Sequence, residues 1–270
     1  GGDINPSIGL IYDVTDNLSL KASHNYATRS PRLYESMLAP SRNIVTDPNL
    51  KAERSRTTEI GFNYRPIQDL SLSGSYFWQK INNVHDFACL SGSCAGGRST
   101  YTSGITQSTN NGYIKNKGYE LNANYRWRGL TARMGVAYSD PKHHYLFDSY
   151  DINTKAHAVG RTWTAGLAYR FDRPNLEIGW RGRFVQSRIG KPSRGATASE
   201  GTTEKRAGYG VNDIYANWKP TGKDDLNINF AVNNVGNKYY YSHSQRSSSR
   251  SGNSLPEVGR DFRLAVNYKF

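Results

Sequence analysis

Apolar and polar residues alternate one for one in eleven separate segments of the chain. The last is the cleanest: Phe262, Leu264, Val266, Tyr268 and Phe270 fall on one side, and Arg263, Ala265, Asn267 and Lys269 on the other. A period of two points successive side chains to opposite faces of an extended chain. Each segment therefore predicts a β-strand with one apolar and one polar face. In order the segments run 4–12, 18–26, 58–64, 70–78, 119–127, 130–138, 163–171, 176–184, 214–218, 226–232 and 262–270. No apolar run approaches the roughly 20 residues of a membrane-spanning helix.

The connections alternate between short and long. Five are tight turns: 15–17, 66–69, 128–129, 172–175 and 220–225. The five between them are long and polar, running to about Arg54, through Cys89 and Cys94, from Asp140 to about Gly160, from Gln186 to Gly208, and from Gly236 to Val258. The polar faces carry Glu59, Arg126, Glu177, Arg181, Arg183 and Lys269, which a dry core would not accept. Strands descending into a short turn or the terminus end in aromatics: Tyr12, Tyr64, Tyr125 and Trp127, Tyr169 and Phe171, Trp218, Tyr268 and Phe270. These features predict an antiparallel transmembrane β-barrel. Its outer face is apolar, its inner face is wet, its aromatics sit at the interface, its short turns are periplasmic and its long loops are external. A soluble β-sandwich has no reason to gather its aromatics in one row at one end.

Bacterial single-chain barrels have even strand numbers. Eleven is odd, and the first and last segments both run toward the short-turn side. The segment 4–12 is then even-numbered: the twelfth of 22, making residues 1–270 the C-terminal half of a barrel of the plugged-transporter size, or the second of 12. The chain begins mid-pattern with no signal peptide, as a fragment or processed piece would.

Composition narrows the function. Of 270 residues, 36% are hydrophobic and 12% aromatic, with 19 Tyr and 26 Gly, which suits strands rather than helices. The formal net charge of +13 is spread along strands and connections without a compact basic run or nucleic-acid motif, so nucleic acid is not an expected partner. Cys89 and Cys94, in Cys-Leu-Ser-Gly-Ser-Cys, predict a small disulfide loop in an oxidising compartment. A metal site there would need more ligands, and His85 is the only candidate nearby. No Ser, His and carboxylate are singled out as a triad, so no catalytic residue is assigned and no enzyme is expected. His143 and His144 are adjacent, so on a strand they face opposite ways and cannot chelate as a pair.

The long connections carry family signatures. Tyr26-Ala27-Thr28-Arg29-Ser30-Pro31-Arg32-Leu33-Tyr34-Glu35 resembles the FRAP-x-L-x-E box of TonB-dependent outer-membrane receptors. Asp47-Pro48-Asn49-Leu50-Lys51-Ala52-Glu53-Arg54-Ser55, followed by Glu59-Ile60-Gly61, resembles their NP-x-L-KPE-x-S box running into E-x-G. Asn233-Asn234-Val235-Gly236-Asn237-Lys238-Tyr239 and Gly259-Arg260-Asp261-Phe262 resemble the turn before, and the start of, their last strand. Residues 239–246 look most like the FetA/FrpB/CopB branch of iron-regulated receptors. The resemblance implies the second half of a 22-stranded wall, with the plug domain, its TonB box and the first barrel half lying outside this chain. It implies a Gram-negative outer membrane, with its lipid and lipopolysaccharide as surroundings and the TonB complex as energy source through the plug.

The expected activity is therefore TonB-dependent uptake of a ferric siderophore, a catecholate in the first instance, with no resident cofactor or metal. Such ligands are commonly anionic and aromatic, which Arg and Tyr can meet by charge-assisted hydrogen bonds and stacking. Arg98, Tyr101, Tyr113, Tyr145, Arg188, Arg194, Tyr241 and Arg246 are the loop candidates. By alternation Glu59, Arg126, Arg181 and Arg183 face the lumen and the plug. Two alternatives stand beside this reading. One is an energy-independent channel or 12-stranded autotransporter-type barrel. The other is a receptor for haem or another metal chelate; haem receptors of the family carry a His between the two boxes, and 31–49 has none.

Overall fold

The computed structural model describes residues 4–32, 44–91, 105–144, 146, 159–190, 204–244 and 255–269. In chain order its strands are β1 (Ser7–Thr15), β2 (Leu18–Arg29), β3 (Ile44–Thr46), β4 (Glu53–Ile67), β5 (Leu70–Asn82), β6 (His85–Ser91), β7 (Ile105–Asn110), β8 (Tyr113–Trp127) and β9 (Leu130–Ser139). There follow β10 (Lys142–His144), β11 (Thr162–Phe171), β12 (Leu176–Val185), β13 (Arg188–Gly190), β14 (Glu204–Arg206), β15 (Tyr209–Trp218), β16 (Leu226–Asn233) and β17 (Asp261–Tyr268). Eleven of them form one antiparallel meander, β1-β2-β4-β5-β8-β9-β11-β12-β15-β16-β17, and β10 joins the far end of β8. These are the eleven strands that the alternation predicts, with the same alternation of short turns and long connections.

The boundaries move for physical reasons. β1 opens at Ser7 rather than Ile4, because Pro6 has no N–H to give a ladder; its carbonyl still accepts from the Tyr26 N–H at 2.9 Å. β4, β5 and β8 continue well past the alternating stretch to 13–15 residues, pairing as far as Arg54 with Asn82 and Asn82 with Tyr113. Backbone pairing does not need an apolar side once the strand leaves the apolar band. Two further small sheets sit in the long connections, β13-β14 and β3-β7-β6, the latter with β3 and β7 parallel. Their polar sequences carry no period, so pattern alone reads them as loops.

Register fixes the faces. On one side, Leu20 meets Phe62, Phe62 meets Gly74, Gly74 meets Leu121, Leu121 meets Val136, and Met134 meets Ala165. The row continues through Trp180 with Ile214, Phe230 with Ala216, and Phe230 with Leu264. This face is apolar across the whole sheet and it is uncovered: Leu264 is 68% exposed, Met134 62% and Leu10 67%. Among the described residues few apolar side chains are buried, and Val185, Tyr209 and Val211 form the one small cluster. An exposed apolar sheet face of this extent is what lipid covers.

Aromatics line both ends of that face. At the short-turn end Tyr64 lies opposite Leu18 and Leu72, Tyr125 opposite Leu70, Trp127 opposite Leu130, Phe171 opposite Leu176, Trp218 opposite Leu176, and Tyr268 opposite Leu226. A second row at the long-loop end comprises Tyr26, Tyr76, Trp78, Tyr119, Tyr138, Trp163 and Phe184, with Tyr76 opposite Tyr119, Tyr119 opposite Tyr138, and Trp163 opposite Phe184. This upper row was legible in the same alternation: on β8 and β11, which carry both rows, it stands six to eight residues before the lower one.

Candidate ligand-facing surface

The opposite face of the sheet is polar and bears the chemistry. Glu59 pairs in register with Ser23, Arg126 with Thr131, Arg181 with Asp213 and Arg183 with Val211. All four lie on this face, away from the apolar row. Lys21 reaches Glu59 at 3.5 Å. Over β9, β11, β12, β15 and β17 this face lines a cavity of about 800 Å³. Four arginines, Arg133, Arg181, Arg183 and Arg263, and four carboxylates, Glu177, Asp213, Glu257 and Asp261, line it. Such a balanced surface offers both signs of charge to whatever fills it.

Tyrosines are interleaved with those charges. A Cβ at Gly179 would collide with the Tyr215 ring, so glycine is what lets that ring lie across β12. The Arg181 guanidinium stands 4.9 Å over it. Toward the loop end Arg183 donates to the Tyr240 hydroxyl at 3.3 Å, and Tyr240 stacks on Tyr209 with centroids 4.5 Å apart. Burial, helped by Glu257, pushes the Tyr240 hydroxyl above its ordinary value although Arg183 pulls the other way. His243, buried, packs edge-on against Tyr209; its Nδ1 accepts from the Gly160 N–H at 3.1 Å and its Nε2 donates to the Ala207 carbonyl at 2.8 Å. Both ring nitrogens are thus committed to the backbone, so His243 pins the 236–244 connection to two others.

The loop-end boxes are held by side chains of the chain itself. Arg29 Nε meets Glu53 Oε2 at 2.6 Å, Glu53 Oε1 accepts from the His85 N–H at 2.7 Å, and Arg29 also donates to His85 Nδ1 at 2.8 Å. His85, 1% exposed, donates from Nε2 to the Lys51 carbonyl at 2.6 Å. The buried His85 imidazole therefore joins the arginine of the first box to the Lys51 carbonyl of the second, while the His85 backbone N–H holds the Glu53 carboxylate that Arg29 meets directly. Asp47 accepts from the Asn49 N–H at 2.8 Å and from Thr109 Oγ1 at 2.6 Å, which ties the second box to β7. Before the last strand, Asn234 accepts from the Lys238 N–H at 2.7 Å and donates to its carbonyl at 2.9 Å, while Asn237 accepts from the Arg260 N–H at 2.9 Å. Both asparagines sit at positive φ, 48° and 47°, which Asn tolerates better than most residues.

Of the loop candidates, Arg98, Tyr101, Tyr145, Arg194 and Arg246 lie outside the described residues, as does Cys94, the proposed partner of Cys89. The other three take different places. Arg188 is drawn onto the outer side of the wall: its Nη2 meets Asp140 at 2.6 Å and its guanidinium stands 5.6 Å over Tyr138. Burial pushes the Asp140 carboxyl up, but hydrogen bonds from Arg188 and Lys142 outweigh it and hold the group below the ordinary carboxylate value. Tyr113 lies on the apolar side of β8, stacked 4.6 Å from His144. Tyr241 is exposed, and its hydroxyl is 2.8 Å from that of Tyr239. That hydrogen bond, with some desolvation, raises the Tyr241 hydroxyl above its ordinary value, so at neutral pH it is a phenol and not a phenolate. Among the described residues no three His, Cys, Asp or Glu side chains come together to hold a metal.

The family model described as "TonB dependent receptor-like, beta-barrel" matches residues 1–235. The chain belongs to the TonB-dependent receptor family. Members of that family are receptors of the Gram-negative outer membrane for uptake of iron, haem and siderophores. The meander, the lipid-type outer face and the box networks are thus those of a receptor wall. Among solved structures, the FrpB iron transporter from Neisseria meningitidis (F3-3 variant) is 48% identical with a TM-score of 0.80 over 99% of this chain and 38% of its own. This agrees with the branch resemblance of residues 239–246. Among curated relatives, TonB-dependent heme receptor A of Haemophilus influenzae is 23% identical over 97% of this chain, and the hemin receptor of Yersinia enterocolitica 26% over 95%. The chain spans 37% of the length of these curated relatives.

Proposed function

We propose that this chain is the C-terminal part of the wall of a TonB-dependent receptor that imports a ferric siderophore, a catecholate in the first instance, across the Gram-negative outer membrane into the periplasm. The observation that carries this is the division of one sheet into an uncovered apolar face and an Arg- and Tyr-rich polar cavity, in a chain of this family. In this reading the cavity face meets the plug on its lower part and the ligand toward the loops. Arg181, Arg183, Arg126 and Glu59 stand toward the plug; Tyr239, Tyr241 and Tyr240 stand at the mouth. Arginines supply charge for an anionic chelate and tyrosines supply stacking and phenol donors. The iron is cargo in this reading, and no catalytic step is needed.

A second reading, haem uptake, is supported by the printed names of the curated relatives. Against it, the two described buried histidines have both ring nitrogens engaged, and 31–49 supplies no other. Growth of cells expressing the full-length receptor under iron limitation separates these readings. A ferric catecholate as sole iron source should support growth only with intact TonB; TonB-independent growth overturns active transport in favour of a channel, and TonB-dependent growth on haem alone favours the second reading.

A further inference from the structure

The upper end of the apolar face carries a row of cations that the uptake reading does not use. Beyond Trp78 on β5, the next residue on the same face is Lys80. Register places Arg56 directly opposite Lys80, Lys80 opposite Lys115, and Lys115 opposite Lys142. One level below, Lys117 lies opposite Trp78. Arg161 completes the patch, 6.0 Å over the Tyr119 ring and 5.7 Å over that of Tyr138. Among the described residues of this patch the facing carboxylate is Asp140, 3.3 Å from Lys142 and shared with Arg188.

Like charges directly opposite across strands are destabilising. Four cations in one unbroken row therefore call for an anion with several charges. The row is also scaffolded: the Tyr113 ring holds Lys80 at 4.6 Å, Lys115 at 5.6 Å and His144 at 4.6 Å. Its level, one step above the upper aromatic row, is the level of outer-leaflet headgroups. It is local: beside Arg161 the next outward position on β12 is Gln186, and on β15 Gly208 follows, one residue before the Tyr209 that pairs with Val185. A general attraction to an anionic membrane would not require this confinement.

We propose that Arg56, Lys80, Lys115 and Lys142 form a binding site for the phosphate groups of a phosphorylated glycolipid of the outer leaflet. The lysines and arginine bind phosphate oxygens by charge-assisted hydrogen bonds, and the aromatics below them pack on the lipid's sugar and acyl portions. This rests on the outer-membrane placement proposed above. The test uses the full-length receptor in detergent with three probes: bis-phosphorylated lipid A, its dephosphorylated form, and phosphatidylglycerol. Binding of bis-phosphorylated lipid A is expected to weaken about a hundredfold in K80Q/K115Q/K142Q, at roughly fivefold per lysine. K223Q, in the turn at the opposite end, should bind as wild type. Heat-modifiable mobility on a denaturing gel checks separately that each variant forms a barrel; a wild-type protein lacking it would fail the membrane reading itself. With the barrel intact, equal affinity for the dephosphorylated lipid, equal affinity for phosphatidylglycerol, or an unchanged triple variant would overturn the site.

Discussion

Asn234 shows how much one buried residue can organise. It is 3% exposed, its backbone N–H donates to Asp213 Oδ1 at 2.8 Å, and its side chain closes the turn on both polar groups of Lys238. Asn234→Ala removes those side-chain bonds and strands the Lys238 groups they satisfied. We expect a loss of about 2–3 kcal/mol, measured as a lowered unfolding temperature of the full-length receptor in detergent. The Asp140–Arg188 pair sets a pH dependence. The folded carboxyl titrates below its unfolded value, so its contribution is fully present above about pH 4 and is lost as pH falls through the lower folded value. Asp140→Asn should cost about 1–2 kcal/mol at pH 7. The gap from wild type should then close as the pH is lowered below 4 in an acid-unfolding series; a gap independent of pH would show that the pair is not the cause. At this scale little was legible beforehand. The boxes announced Arg29, Glu53 and Asn234 as signatures, but not that a histidine thirty-two residues after Glu53 would lock the first two together. That link depends on where a long connection folds back, and spacing does not encode it.

The strands are the level at which sequence and structure agree best. Ile228 faces the apolar side, opposite Trp218 and Val266, and Asn229 faces the polar side, opposite Asn217 and Ala265. Ile228→Arg should cost about 2–4 kcal/mol if the position lies near the bilayer midplane, whereas Asn229→Arg should be tolerated. Parallel folding titrations into lipid vesicles measure both; equal effects would mean that the faces are assigned the wrong way round. The alternation that gave this facing is strong because the two sides of a barrel strand meet opposite solvents. It fails for β6 and β7, where His85-Asp86-Phe87 and Thr106-Gln107-Ser108 have no such contrast to record. Those strands exist because they find backbone partners in each other, from His85 opposite Asn110 to Cys89 opposite Thr106, and because β7 also pairs with β3. The same weakness explains Tyr113. Its place in a long polar connection suggested ligand capture, but β8 extends far enough to carry it onto the outer side.

For the whole molecule, the two aromatic rows fix the height of the band that lipid must match. From Trp163 to Phe171 is eight residues along β11, and both side chains lie on the apolar face. At about 3.3 Å per residue and a tilt of about 40°, the rows stand roughly 20 Å apart along the membrane normal. That is well short of the roughly 30 Å hydrocarbon core of a typical bilayer and suits a thinner one, as the bacterial outer membrane is. A barrel with this band must thin a thicker bilayer around itself, at fractions of a kcal/mol per ångström of mismatch. The full-length receptor, refolded from urea into phosphatidylcholine vesicles, should therefore fold in highest yield with 12-carbon chains and in falling yield through 14- and 18-carbon chains. Heat-modifiable mobility reads the folded fraction. The opposite order would mean that the aromatic rows do not mark the interfaces. In that event the cation row above Trp78 would no longer lie at headgroup level, and the glycolipid site would lose its footing along with them.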